Sequence, residues 1–417
     1  MNFDFDQQIE RKGSSCIKWD GMQKFLGAAD ALPMWVADMD FLTPEYITEA
    51  IINRARHGVF GYPLREESYF TSLMDWLQRR HQWKVERDWI SFCPGVVPAV
   101  NISVLAFTEP GDKIIVQPPV YFPFFTAVTD HKRTLVYNHL ILRGGRLCMD
   151  FDSLEALAKD GAKMLILSNP HNPGGSVWTK EELLQMAGIC LKYNILIISD
   201  EIHCDLIFKP FKHTPVASLS QEISMHTITT VAPSKTFNLS GLSTSSVIIE
   251  NDSLRRKFST QLDHMHIGGG NIFGNIASEE AYLHGDTYVD ELMDYLAGNV
   301  ETLVKFIGEY LPEIKVIQPE STFLVWLDCN EMGMNDKDLN EFFLHKAKVG
   351  LNPGIMFGPG GEGFIRVFGK CGVFHHQVHR FIQAPSGAGD DYEIAGLIIG
   401  PVGSHGRLSH GIQAQAR

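Results

Sequence analysis

No C-x-x-C pair occurs among the seven cysteines (Cys16, Cys93, Cys148, Cys190, Cys204, Cys329, Cys371), so neither a disulfide framework nor a zinc-ribbon spacing is present. A reducing, cytoplasmic location is expected. No apolar run approaches the roughly 18–20 residues of a membrane helix. The acidic start, Met1-Asn2-Phe3-Asp4-Phe5-Asp6, lacks the basic and apolar regions of a signal peptide. Positive charge is also scarce. The 36 Lys and Arg against 49 Asp and Glu give a formal charge of −13, which argues against a nucleic-acid or anionic-membrane partner. Repeats, charge runs and long linkers are missing too. What the chain does have, in 417 residues with 44% hydrophobic and 11% aromatic side chains, is enough apolar material for a large core.

Short apolar runs rich in β-branched residues recur at Ile114 to Val116, Met164 to Leu167, Ile195 to Ile198, His226 to Val231 and Ser246 to Ile249. Helical patterns lie between some of them. The clearest is Thr179 to Tyr193, where Thr179 and Glu182 make a capping box and Asn194 supplies a left-handed stop. Near-continuous apolar strands alternating with helices predict an α/β fold, a mostly parallel sheet sandwiched by helices. Beyond residue 280 a longer helix, Asp290 to Tyr310, and a strand, Phe323 to Leu327, predict a smaller α+β domain. The expected organisation is an N-terminal arm (1–45) touching the small domain or a second subunit, a large domain (46–280), a small domain (281–383) and an atypical tail (384–417). The tail is glycine-rich without an apolar face, so little packed structure is expected there. His375, His376 and His379 include an i, i+4 pair but no acidic third ligand. They read as surface histidines, and no metal is expected.

Open α/β sheets bind ligands at the carboxyl ends of their strands, so the informative residues directly follow the apolar runs. These are Ser168-Asn169-Pro170-His171-Asn172-Pro173-Gly174-Gly175, Ser199-Asp200-Glu201-Ile202-His203 and Ala232-Pro233-Ser234-Lys235-Thr236. An amide, a carboxylate and a lysine could converge at one rim, as a pyridoxal phosphate site requires. Asp200 would keep the pyridine nitrogen protonated, and Asn172 would donate to the phenolic oxygen. Lys235 would hold the aldehyde as a Schiff base and, once freed, move the α-proton. The phosphate needs donors at a helix start. Gly95 makes the turn there, Val96 and Val97 present free N–H groups, Pro98 suits the first helical turn, and Ser234 adds a hydroxyl.

Ser168 to Gly174, Ser199 to His203 and Ser234-Lys235-Thr236-Phe237-Asn238-Leu239-Ser240-Gly241-Leu242 resemble the signature segments of fold-type I pyridoxal-phosphate enzymes, the class I/II aminotransferase superfamily. More narrowly, Lys18-Trp19-Asp20, Ala31 to Phe41, Pro94 to Pro98 and Gln117-Pro118-Pro119-Val120-Tyr121 resemble its cystathionine β-lyase, or cysteine-S-conjugate β-lyase, branch. The resemblance runs from about residue 2 to Arg366. It implies that Tyr121 stacks on the cofactor ring, Asn172 and His203 lie near its phenolic oxygen, and Asp200 pairs with its nitrogen. Lys235 becomes the Schiff-base lysine. Tyr62 would reach the cofactor phosphate of a neighbouring subunit, which implies a homodimer, and Arg366 would bind the α-carboxylate of an amino-acid substrate. After Arg366 the sequence departs from the family pattern, reading Val367-Phe368-Gly369-Lys370-Cys371-Gly372-Val373 before the tail. The implied reaction is α,β-elimination of L-cystathionine or a related cysteine S-conjugate to pyruvate, ammonia and a thiol. Two other readings stay open, an aminotransferase using the same cofactor contacts and a regulatory protein that retains the site.

Overall fold

Seven strands form the central sheet: β1 (Ile90–Cys93), β2 (Lys113–Val116), β3 (Thr134–Tyr137), β4 (Met164–Ser168), β5 (Leu196–Asp200), β6 (Thr227–Val231) and β7 (Ser245–Ile248). Their order is β1-β7-β6-β5-β4-β2-β3. The computed structural model describes residues 3–368; the expectations for the tail and for His375, His376 and His379 lie outside them. Every residue of β4 and β6 is buried. Alternate side chains serve opposite faces. Ile114, Val116, Met164, Ile166 and Ile198 join one apolar cluster with Val100, Val104 and Phe124. Ile115, Leu165, Leu167 and Ile197 join another with Leu154, Leu183 and Met186. Helices therefore cover both faces, as the unbroken apolar runs foretold.

Helix Lys180–Lys192 begins at the expected capping box: the Thr179 hydroxyl accepts from Glu182 N–H, and the Glu182 carboxylate accepts from Thr179 N–H. Asn194 follows it with φ 55°. One strand departs from the parallel arrangement. β7 runs antiparallel to both β1 and β6, because the segment joining β6 to β7 contains no crossover helix of the kind parallel neighbours need. That segment carries Lys235.

The long helix expected from Asp290 spans Asp286–Tyr310. It precedes a second sheet of β8 (Lys315–Ile317), β9 (Leu324–Asp328), β10 (Asn352–Pro353) and β11 (Phe364–Phe368), antiparallel in the order β8-β9-β11-β10. The apolar run at Phe323 to Leu327 is thus one of four strands. Before the large sheet, residues up to 45 form two short helices, Ile17–Asp20 and Met22–Leu26, and Leu32–Pro33 pairs in parallel with Val349–Gly350. None of the described helices is long and apolar enough to cross a membrane.

Candidate active site

Parallel pairing puts Ser168 opposite Asp200 and Asp200 opposite Thr230, so the polar segments after β4, β5 and β6 leave the sheet at one edge. They line a cavity of about 450 Å³, a size suited to a small organic cofactor with its substrate. Asn172, Asp200, His203, Ser234 and Lys235 lie on its wall. Gly95, Val96 and Val97 reach it from the other side of β7, at the start of helix Val96–Phe107. Tyr121 and Arg366 complete the set. Tyr62 is the exception: it is fully exposed and lies at a separate surface pocket with Arg65 and Asn275.

The cavity holds three charged groups without an ion-pair partner among the described residues, Arg366 and Asp200 buried and Lys235 half-buried. Arg366, 4% exposed, donates to Asn352 Oδ1 at 2.7 Å, to Asn172 Oδ1 at 3.1 Å and to Trp35 O at 3.2 Å, all neutral acceptors. Burial lowers its pKa to about 10. Lys235 Nζ donates to Ala37 O at 2.7 Å. Burial first, then the charge of Arg366, brings its pKa down to about 8. The Asp200 carboxylate accepts one backbone N–H, from Ile202 at 3.1 Å, and burial pushes its pKa up to about 7. His203 is held neutral: burial, then Lys235 and Arg366, lower its pKa to about 3. Its Nδ1 is buried without a hydrogen-bond partner among the described residues.

This donor set fits the cofactor expected from the sequence. An under-solvated carboxylate favours a protonated ring nitrogen, and an isolated guanidinium favours a carboxylate ligand. An amine of depressed pKa suits attack on an aldehyde. A helix start without a side-chain cap favours a phosphate. Sequence reasoning missed Asn352 and the carbonyls of Trp35 and Ala37. Asn352 is placed by its in-register pairing with Arg366 in the folded sheet, which a two-residue strand does not announce in sequence, and carbonyls leave no signal.

A helix-covered, mostly parallel sheet with a lysine, a carboxylate and an uncapped helix start at one edge is the architecture of an α/β enzyme. The chain belongs to the aminotransferase class I and II family, whose model matches residues 30–384. It is 44% identical over 370 residues to cystathionine beta-lyase PatB of Bacillus subtilis (strain 168), covering 88% of this chain and 96% of that one. Among solved structures, it is similar to a PLP-bound putative aminotransferase from Clostridium difficile 630, with TM-score 0.90, 39% identity, and 92% and 100% of the two chains covered. Cystalysin from Treponema denticola, which contains pyridoxal 5'-phosphate, matches with TM-score 0.89 and 35% identity over 92% of this chain and 99% of its own.

Proposed function

We propose that this protein is a pyridoxal-phosphate-dependent carbon–sulfur β-lyase that converts L-cystathionine or a related cysteine S-conjugate to pyruvate, ammonia and a thiol. The observation that carries the reading is the meeting of the Lys235 amine, the Asp200 carboxylate and the Arg366 guanidinium around one cavity, none neutralised by another described residue. The choice of elimination over amino transfer is supported by the similarity to cystathionine beta-lyase PatB. The cofactor, when bound, supplies the electron sink for the negative charge that develops at the substrate α-carbon.

The chain's own residues then divide the work. Arg366 grips the substrate α-carboxylate with both guanidinium prongs and so orients the α-carbon. Lys235 would anchor the cofactor through its aldehyde and, as a free amine, would take the α-proton. Burial leaves it neutral far more often than a surface lysine. The thiolate departs from the β-carbon, and water splits the remaining unsaturated amine into pyruvate and ammonia. With the cofactor bound, Asp200 would keep a proton on the ring nitrogen, Asn172 and His203 would hold the phenolic oxygen, Tyr121 would support the ring, and Gly95, Val96, Val97 and Ser234 would hold the phosphate.

The catalytic unit is a cytoplasmic homodimer in this reading, with Tyr62 serving the neighbouring subunit's phosphate and the arm 1–45 contributing to the contact. In this reading the large domain spans 46–280 and the small domain begins at residue 281. The deciding experiment is to mix purified, cofactor-loaded protein with L-cystathionine and no keto acid. Pyruvate formation is expected. An enzyme that turns over only when a keto acid is supplied is an aminotransferase, and the lyase reading then fails.

A further inference from the structure

A second cavity, about 530 Å³, is lined by residues that the reaction does not use. Its wall includes His81, the last residue of helix Glu67–His81, and Cys204 and Asp205 from the turns after β5. One ligand atom of each, an imidazole nitrogen, a sulfur and a carboxylate oxygen, lies within 4.8 Å of the other two. We propose that His81, Cys204 and Asp205 form a binding site for a borderline-soft divalent ion, of which zinc and cobalt are the probes.

The donor chemistry selects the ion. One thiolate, one imidazole and one carboxylate are ligands that zinc and cobalt accept together, whereas magnesium and calcium require several oxygens. Thiolate and carboxylate together cancel the ion's charge, so a loaded site buries no net charge. That matters because Lys180, Lys212 and Arg80 also line the cavity and would repel an ion held by charge alone. Binding releases the Cys204 proton to solvent.

The geometry needs little change. His81 Nε2 and Asp205 Oδ1 are 2.8 Å apart, joined by a hydrogen bond. Tetrahedral zinc with bonds of about 2.0–2.1 Å separates nitrogen and oxygen ligands by roughly 3.3 Å, an opening of about 0.5 Å. The carboxylate is already oriented from outside: Trp76 Nε1 donates to Oδ1 at 2.9 Å and Thr236 Oγ1 to Oδ2 at 3.0 Å. Such outer partners are what fix a ligand for a metal. His213, whose ring meets that of His81 edge-on at 5.4 Å, lines the same cavity; its Nε2 is hydrogen-bonded to Glu201 Oε2 at 2.8 Å, and its Nδ1 is buried with no hydrogen-bond partner among the described residues. Thr236 adjoins Lys235, so the ion would sit one hydrogen bond from the lysine-bearing segment.

The site is tested by titrating cobalt into the cofactor-loaded protein and reading the visible bands of tetrahedral, thiolate-ligated cobalt. One equivalent is expected to bind, zinc to displace it, and magnesium or calcium to leave it in place. Cys204→Ser and His81→Gln should each remove the signal. Zinc-edge anomalous diffraction from the wild-type protein provides a location that does not depend on any variant folding. A peak between His81, Cys204 and Asp205 establishes the site. Absence of a peak there in zinc-soaked crystals, or cobalt bands that survive both substitutions, overturns it. Neither readout depends on turnover, so the lyase reading stands or falls separately.

Discussion

Arg366 and Asn352 face each other in register across β11 and β10, and the guanidinium donates to the amide oxygen at 2.7 Å. The amide orients the cation without neutralising it, which leaves the charge for a substrate carboxylate. Asn352→Asp would supply an internal carboxylate that competes with the substrate. We expect its KM for cystathionine to rise roughly ten- to hundredfold with little change in kcat, the scale of about 1.5–3 kcal/mol for a charged hydrogen bond. Asn352→Ala should have a smaller effect. Steady-state kinetics check this, and an unchanged KM for Asn352→Asp removes Arg366 as the carboxylate receptor.

Lys235 must be neutral to attack the cofactor aldehyde. Burial brings its pKa down to about 8, so at pH 7 about one lysine in ten is a free amine, compared with well under one in a thousand for an ordinary lysine. The rate of cofactor capture by cofactor-free protein should therefore climb between about pH 6 and 9 and level off above that range. Stopped-flow absorbance follows it. Borohydride reduction followed by peptide mapping should tag Lys235, and a tag on any other lysine refutes the assignment.

The parts of this design that were legible in the sequence share a physical cause. Strands β4 and β5 carry the apolar runs Met164 to Leu167 and Leu196 to Ile198 between helix layers, so the polar residues that follow are conspicuous, and Asp200 announced itself in this way. Buried β6 is threonine-rich, Thr227-Ile228-Thr229-Thr230-Val231, and Lys235 stands four residues beyond it. Strand β3 did not announce itself. Thr134–Tyr137 lies at the sheet edge with no fully buried residue, so its pattern carries no continuous signal. Ala37 accepts from Lys235 across 198 positions and Trp35 from Arg366 across 331. Both act through backbone oxygen, which every residue has, and only the folded chain reveals them.

Tyr62 is fully exposed amid other exposed apolar residues, Val59, Phe60 and Leu64, and touches nothing in its own chain's main cavity. A tyrosine that serves a neighbouring subunit should behave in this way. Mixing inactive Lys235→Ala with inactive Tyr62→Ala protein should restore part of the activity once subunits exchange, because one of the two mixed sites is intact. Sedimentation of a fully active monomer would contradict the shared site.

Asp200 permits a test in which the sign of the effect depends on both pH and cofactor. In the cofactor-free protein burial raises its pKa from 3.8 to about 7, against the opposing Ile202 N–H and the Lys235 charge. Below about pH 4 the carboxyl is protonated in the folded and unfolded chains alike and costs nothing. Between about pH 4 and 7 the unfolded chain has released that proton while the folded chain retains it, so this residue's contribution destabilises the fold increasingly as pH rises. Above about 7 the penalty is constant. Asparagine does not ionise. Cofactor-free Asp200→Asn should therefore melt at a higher temperature than the wild type at about pH 8, and the difference should vanish near pH 4. With cofactor bound the advantage should disappear, because a protonated ring nitrogen neutralises the wild-type carboxylate and an amide cannot hold that proton. Turnover should fall by roughly a hundredfold or more, the scale of losing one preorganised electrostatic contact. Calorimetry on both forms, with lyase assays on the loaded one, decides it: a cofactor-free variant less stable than wild type at pH 8, or one with full turnover when loaded, shows that Asp200 does not partner the ring nitrogen.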